Sequence, residues 1–525
     1  MKRGITRLYR IAIHFIDRDF EHDIFELIRA FYPEAEFIVT YQDAEGMEPH
    51  KTEVPEEEQP QCDMEFRVWE EDGIYRIEYR AENDSGIIDA GSEKEGQPGL
   101  LQEDALLLRN PRRIRKAKKD SIKYELYKVL TKLSGKTLPW GNLTGIRPAK
   151  IAMGLLEEGR KNTEIAQEMR ERYMVSPKKA ALAIAIANRE RDLLKNIDCD
   201  NGYSLYIGIP FCPSICLYCS FSSSPLSVWE KRVDDYLDAL MKEARAVSLI
   251  MKEKGRHLDT VYIGGGTPTT LKPDQMRRLL NEVMEDFPVS NLEEFTIEAG
   301  RPDSITAEKL KAMKEFPVSR ISVNPQTMNQ QTLDIIGRRH TVWQTREAFY
   351  LAREAGFDDI NMDLIIGLPG EDEAMVSHTL DEIKLLQPDS MTVHSLAVKR
   401  AARLNIFRDQ YREMTFENNQ QILDLTMQAA YSMGMSPYYL YRQKNMKGNF
   451  ENVGYSKVDK AGIYNILIME EKEPVIALGA GGASKLVIRD SQRIERAENV
   501  KDVRNYIMRI DEMIERKRNA IELYL

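Results

Sequence analysis

The sequence predicts an α/β protein built around an open, partial (β/α)6 barrel, with an N-terminal α+β domain and a helical connecting region before it. Three observations carry that expectation. From residue 204 short apolar strands alternate strictly with amphipathic helical stretches, and repeated strand–helix units make a parallel sheet. Six such units fall short of the eight that close a full barrel. At 525 residues the chain also exceeds one ordinary core, so two or three domains are expected.

The first boundary falls near residue 110. Before it, Leu8–His14 and Glu36–Thr40 have the composition of strands flanking a helix. Phe66–Glu70 and Ile74–Arg80, joined across Asp72-Gly73, show the alternation and turn of a hairpin. The acidic stretch Glu53–Glu58, broken by Pro55 and followed by Pro60, is a surface loop. Residues 1–110 therefore form one α+β domain. A basic run from Arg109 to Lys119 opens a helical region over 111–198, and its plainest reading is a solvated helix face. Within it, Leu138–Pro148 is rich in turn formers, and Pro148 is placed to start the next helix. The barrel spans 199–400. Its strands are expected at Ser204–Ile209, Asp259–Gly264, Glu294–Glu298, Arg320–Val323, Ile360–Ile365 and Ser390–Ser395. Trp229–Lys254, Pro273–Glu285, Thr306–Glu315, Thr341–Ala355 and Glu373–Leu386 supply the helices between them. Residues 401–525 follow as an α/β extension over the substrate site.

With 42% hydrophobic and 30% charged residues the chain reads as soluble and globular, without an apolar run long enough for a membrane span. No signal-like segment follows Met1, which makes the cytoplasm the expected compartment. A net charge of −10 argues against nucleic acid as a partner. The sequence prescribes no oligomeric state.

Three of the five cysteines lie within eight residues, as Cys212, Cys216 and Cys219 in a C-x3-C-x2-C array. Thiolates hold [4Fe–4S] clusters, and a full protein set is four. Three on one loop leave one iron open to something other than the protein. A structural zinc site would need a fourth Cys or His, but no His lies between Cys199 and His257. Disulfides do not suit an uneven trio in a chain without a secretory signal. Cys62 and Cys199 stand alone and read as ordinary thiols.

In parallel α/β folds the chemistry sits at the C-terminal ends of the strands. The cysteine loop follows the first barrel strand. The second runs into Gly264-Gly265-Gly266-Thr267-Pro268, whose glycines let backbone amides approach a ligand. Glu298 closes the third, Asn324-Pro325-Gln326 follows the fourth, Arg338 comes twelve residues after Gln326, and Asp363 lies within the fifth. A buried carboxylate or amide is costly unless paired. Gathered at one mouth, these residues favour a binding site.

Together the Tyr-x-Gly-Ile-Pro-Phe-Cys strand end, the cysteine array, Gly-Gly-Gly-Thr-Pro, Asn-Pro-Gln with Gly-Arg-Arg-His, and Asp-Leu-Ile-Ile-Gly-Leu-Pro-Gly resemble the radical S-adenosylmethionine superfamily. The resemblance covers roughly residues 200–485. Within the superfamily it points to the oxygen-independent coproporphyrinogen III oxidase family. The HemZ-type branch shares the N-terminal extension and the phrase Val393-His394-Ser395-Leu396-Ala397-Val398-Lys399-Arg400.

The resemblance implies a radical SAM barrel whose open iron is chelated by S-adenosyl-L-methionine; one electron then cleaves it to a 5′-deoxyadenosyl radical. By motif position Cys212, Cys216 and Cys219 are the cluster ligands. Tyr206, Gly265 and Glu298 match contacts to the cluster-bound S-adenosylmethionine, with Tyr218 beside its adenine. Gly266, Thr267, Gln326, Arg338 and Asp363 match positions that hold a second S-adenosylmethionine, and Ala483 comes from the late glycine-rich loop Gly479–Ser484. The implied substrate is coproporphyrinogen III, oxidatively decarboxylated to protoporphyrinogen IX, with a reductant such as flavodoxin or ferredoxin as electron donor. Its propionates call for cations. Lys399, Arg400 and Arg403 are candidates, against the plainer reading of a solvated helix start; His394, Tyr438, Tyr439 and Tyr441 are further pocket candidates.

Two departures qualify the match. A fourth cysteine of the better-known oxidases is replaced by Phe221, and a histidine four residues before the first cysteine by Gly208. The alternatives are the haem-chaperone branch of the same family and an enzyme acting on another tetrapyrrole. The chaperone's His-Asn-x-x-Tyr-Trp element reads Glu451-Asn452-Val453-Gly454-Tyr455-Ser456 here. Its missing histidine favours enzyme over carrier, since imidazole is the usual handle on haem iron. A purely structural iron-sulfur protein leaves the glycine loop and polar strand ends unexplained.

Overall fold

The computed structural model describes residues 9–41, 62–90, 111–145, 147–221, 223–289, 292–397, 402–406, 418–443, 450–488 and 493–525. The chain divides into two compact units, Met1–Ile184 with Lys447–Phe450, and Ala185–Met446 with Glu451–Leu525.

In the first unit, strands β1 (Arg10–Phe15), β2 (Glu36–Tyr41), β3 (Met64–Glu71), β4 (Ile74–Ala81) and β5 (Asp84–Ala90) form a sheet in the order β2-β1-β3-β4-β5. β1 runs parallel to both β2 and β3, while β3, β4 and β5 make an antiparallel meander. Period-two alternation turns Met64, Phe66 and Val68 inward and leaves Arg67 exposed. They pack with Ile24, Leu27 and Phe31 of the helix Glu21–Phe31 and with Ile122, Leu126 and Leu130 of the helix Pro111–Ser134. The latter helix begins with the basic run, and its Arg115 is exposed and ion-paired to Asp19. The hairpin turn at Asp72-Gly73 is as expected. Strand β5 is an addition: Asp84, Ser85 and Gly86 are poor strand formers, and the Tyr79 ring lies over Gly86. The acidic stretch 53–58 lies outside the described residues.

The second unit holds β6 (Gly202–Ile209), the two-residue pair β7 (Phe211–Cys212) and β8 (Ser224–Pro225), β9 (His257–Gly265), β10 (Glu294–Gly300), β11 (Arg320–Val323), β12 (Ile360–Ile366), β13 (Ser390–Ser395), β14 (Ser436–Tyr441), β15 (Asn452–Ser456), β16 (Val475–Leu478), β17 (Ala483–Ile488) and β18 (Arg493–Glu498). Among the described residues the main sheet runs β14-β15-β13-β12-β11-β10-β9-β6-β16-β17-β18. Its centre, β6, β9, β10, β11, β12 and β13, is parallel throughout and in chain order: the partial (β/α)6 barrel. These strands are buried on both faces, as a helix-covered parallel sheet requires. β16 adds in parallel beside β6, and antiparallel strands finish both edges. Residues beyond 401 thus extend the same sheet at both ends.

Candidate active site

Every parallel strand of the second unit ends at one edge, and the turns leaving that edge carry the polar residues. Beyond β6 the cysteine loop is closed at its base by the β7–β8 pair, where the Ser224 amide donates to the Pro210 carbonyl at 2.7 Å. The Leu217 amide donates to the Ile336 carbonyl at 2.9 Å, and the Leu404 amide to the Leu217 carbonyl at 2.9 Å. Cys212 and Cys216 are buried, Cys219 is half-buried, and all three are free thiols. Burial pushes the Cys212 and Cys219 thiols up, and the neighbouring Cys216 adds to it. Among the described residues no three His, Cys, Asp or Glu side chains converge on the position of a single metal ion. What the thiols share is one loop, near enough to perturb one another.

The glycine turn after β9 lies against that loop. The Gly266 amide donates to the Ile209 carbonyl and the Thr267 amide to the Phe211 carbonyl, both at 2.8 Å. The Thr267 hydroxyl donates to Cys212 Sγ at 3.6 Å. A Cβ on Gly266 would stand 2.6 Å from the Phe211 carbonyl oxygen and 3.0 Å from Cys212 Sγ, and Gly265 has φ +108°. Only glycine fits both demands. The amides of Gly266 and Thr267 thus tie the turn to the cysteine segment.

Behind the turn Tyr206 and Tyr262 stack at 6.1 Å, and Tyr262 and Tyr464 at 4.3 Å. The Tyr262 hydroxyl donates to Glu298. Burial pushes the Glu298 carboxyl up to about 7, and the nearby Asp363 adds to it. Asp363 goes the other way: burial opposes its charge, but His394 and Asn361 hold it below the usual carboxylate range. Asn361 donates to Asp363 Oδ1 at 2.7 Å, His394 Nε2 lies 3.9 Å from the same oxygen, and His394 Nδ1 is 3.0 Å from the Tyr441 hydroxyl. Gln326 is held at φ +68° by ladder bonds to Asp363 and Ile365, a costly conformation for a non-glycine residue that clusters at functional sites.

Arg338 is buried and donates to the Asn324 carbonyl. Burial works against its charge, and the adjoining Tyr218 and Cys216 more than restore it. Arg338 Nε, Asn324 Oδ1 and Gln326 Oε1 are enclosed without a partner, which is unusual and marks room for a polar ligand. Arg301, at the end of β10, donates to Ser214 in the cysteine loop and reaches Cys216. Arg301 and Tyr262 escaped the sequence reading, although Arg301 follows Glu298 by three positions and obeys the same strand-end rule.

On the far side of β6, the loop after β16 rests on buried Glu243, which accepts from the Gly479 amide at 2.8 Å, Asn499 at 2.8 Å, Tyr506 at 2.6 Å and Lys517 at 2.5 Å. Ala483 is exposed at the start of β17. Tyr438 does not join the site: it is buried near Arg320 and Glu294, which begin β11 and β10 at the opposite strand ends, because it lies early in β14, a strand that runs parallel to the barrel strands. Tyr439 packs over Gly454, Arg403 is exposed, and Lys399 and Arg400 lie outside the described residues.

The radical SAM superfamily model matches residues 206–383, from the Tyr206 strand into the helix after Asp363. The oxygen-independent coproporphyrinogen-III oxidase-like protein HemZ of Bacillus subtilis (strain 168) is 39% identical over 406 residues, covering 77% of this chain and 81% of that protein. This chain belongs to that radical SAM family. The family uses a [4Fe–4S] cluster and S-adenosylmethionine, and the three thiols on one loop, the glycine cradle and the unpartnered polar atoms fit both groups. The haem chaperone HemW of the same organism is 40% identical over 199 residues, 37% of this chain and 51% of the chaperone. Among solved structures, the coproporphyrinogen III oxidase HemN from Escherichia coli aligns with a TM-score of 0.47 at 24% identity, over 60% of this chain and 70% of that one. No described helix is long and apolar enough to cross a membrane.

Proposed function

We propose that this family member is a radical SAM oxidoreductase that decarboxylates two propionates of coproporphyrinogen III to vinyl groups, giving protoporphyrinogen IX. The observation that carries the reading is the juxtaposition at one strand edge of a three-thiol loop, a glycine turn laid against it, and enclosed polar atoms of Asn324, Gln326 and Arg338 without partners. When bound, the cluster and S-adenosylmethionine supply one-electron removal of hydrogen from carbon. Each propionate loses a β-hydrogen atom and then CO2, and the one electron left over passes to an external one-electron acceptor.

The chain's own residues hold and enclose the reactants. Cys212, Cys216 and Cys219 supply three thiolates. Tyr206, Gly265 and Glu298 hold the cluster-bound S-adenosylmethionine, with Tyr218 at its adenine; Gly266, Thr267, Gln326, Arg338 and Asp363 hold a second molecule, and Ala483 of the late glycine-rich loop adds a cofactor contact. Asp363 stays ionised beside His394 and Asn361, whereas Glu298, pushed up to about 7, is divided between its neutral and charged forms near neutrality. The stacked Tyr206, Tyr262 and Tyr464 wall excludes water. Residues 401–525 cover the substrate, with Arg403, Lys399, Arg400, His394, Tyr439 and Tyr441 as its candidate contacts. A reductant such as flavodoxin or ferredoxin delivers the electron.

The test is anaerobic. Reconstituted protein with dithionite and S-adenosylmethionine forms 5′-deoxyadenosine, and Cys216→Ala abolishes it; persistence in the variant would sink the mechanism. With coproporphyrinogen III added, protoporphyrinogen IX appears. Absence of that product together with tight haem binding would establish the carrier instead.

A further inference from the structure

Arg301 is 3% exposed and its three guanidinium nitrogens are used in two directions. Toward its own turn, Nε and Nη2 form a fork with Asp303, at 3.0 and 2.7 Å. Toward the cysteine loop, Nη1 donates to Ser214 Oγ at 2.7 Å and the Ser214 carbonyl at 3.1 Å, and reaches Cys216 Sγ at 3.9 Å. A guanidinium taken out of water is costly unless paired, and a single carboxylate already pairs this one. The remaining nitrogen, Nη1, is tied to Ser214 and so is held 3.9 Å from the sulfur of the middle cysteine of the array. Ser304 and Thr269 brace the turn: Ser304 Oγ donates to the Arg301 carbonyl at 2.8 Å and sits 2.6 Å from Thr269 Oγ1.

We propose that Arg301, oriented by Asp303, is a positioning residue for the iron-sulfur cluster: it fixes the Cys216 sulfur and makes the cluster easier to reduce. The inference rests on the radical SAM reading and deepens it. Hydrogen bonds to cluster sulfurs and nearby positive charge stabilise the reduced, more negative state. Asp303 has the opposite sign and pairs with the Nε and Nη2 side of the guanidinium, so the two residues act as a pair whose members tune the electron affinity in opposite senses.

That opposition is the test. Full-length reconstituted protein is titrated with dithionite against redox mediators, without porphyrinogen, and the reduced cluster is followed by electron paramagnetic resonance. Arg301→Gln leaves Asp303 unbalanced and cuts the reduced-to-oxidised ratio at fixed ambient potential about tenfold, equivalent to about 59 mV for one electron. Asp303→Asn moves the ratio the other way, and Arg301→Lys falls between wild type and Arg301→Gln. If Arg301→Gln fails to hold a cluster, Asp303→Asn decides alone. Midpoints unchanged in the variants, or lowered in both, overturn the inference and leave the radical SAM reading standing. A wild-type chain that assembles no four-iron cluster overturns both.

Discussion

Glu298 and Asp363 stand at the same strand edge, and their surroundings push them apart. Glu298 has one hydroxyl donor, from Tyr262, while Asp363 has His394 and Asn361. The folded pKa of Glu298, about 7, lies above its ordinary value, so folding favours the protonated form. That contribution is complete below about pH 4.5 and is lost as pH rises through about 7. Glu298→Gln, which mimics the protonated acid, is therefore as stable as wild type at pH 4.5 and more stable at pH 8, by on the order of 2–3 kcal/mol. Thermal unfolding at the two pH values checks this; a variant less stable than wild type at pH 8 would refute it. Single residues at this scale were only partly legible in the sequence. The cysteine spacing is local and shows itself, as does Glu298 at a strand end. Tyr262 is one of several aromatics in apolar strands, and nothing in its neighbours announces the carboxylate one strand away.

At the scale of elements, the glycine-rich loop after β16 depends on segments remote in sequence. Glu243 comes from the helix Val233–Glu253 and Lys517 from the last helix, Ile510–Tyr524; both side chains are at most 1% exposed. Removing one partner of a buried pair costs about 3–5 kcal/mol because a charge is left uncompensated. Lys517→Met is expected to lose that much stability, and the double variant with Glu243→Gln recovers a large part of it. Denaturant unfolding of the single and double variants measures the coupling, and simple additivity would rule it out. The barrel strands themselves were legible: Arg320–Val323 and Ser390–Ser395 form as read, because short segments carrying Ile, Val and Met recur at regular spacing between helical stretches. Strand β5 was not, since Gly86 is there to make room for the Tyr79 ring, a cross-strand requirement.

For the whole molecule, two compact units imply separate unfolding events. Calorimetry is expected to show two transitions, with S-adenosylmethionine raising only the one belonging to the second unit, because a ligand stabilises the unit that binds it. One transition shifting as a whole would contradict this. By itself the sequence determined the class of fold and the chemistry of the loop, since strand–helix alternation and cysteine spacing are short-range patterns. It could not determine the surroundings of that loop. Arg301 beside Cys216, the Gly266 turn against the Cys212 sulfur, and the removal of Tyr438 to the opposite strand ends depend on register and on contacts between distant segments. Those are decided only when the strands are set side by side, where a one-residue shift sends a side chain to the other face.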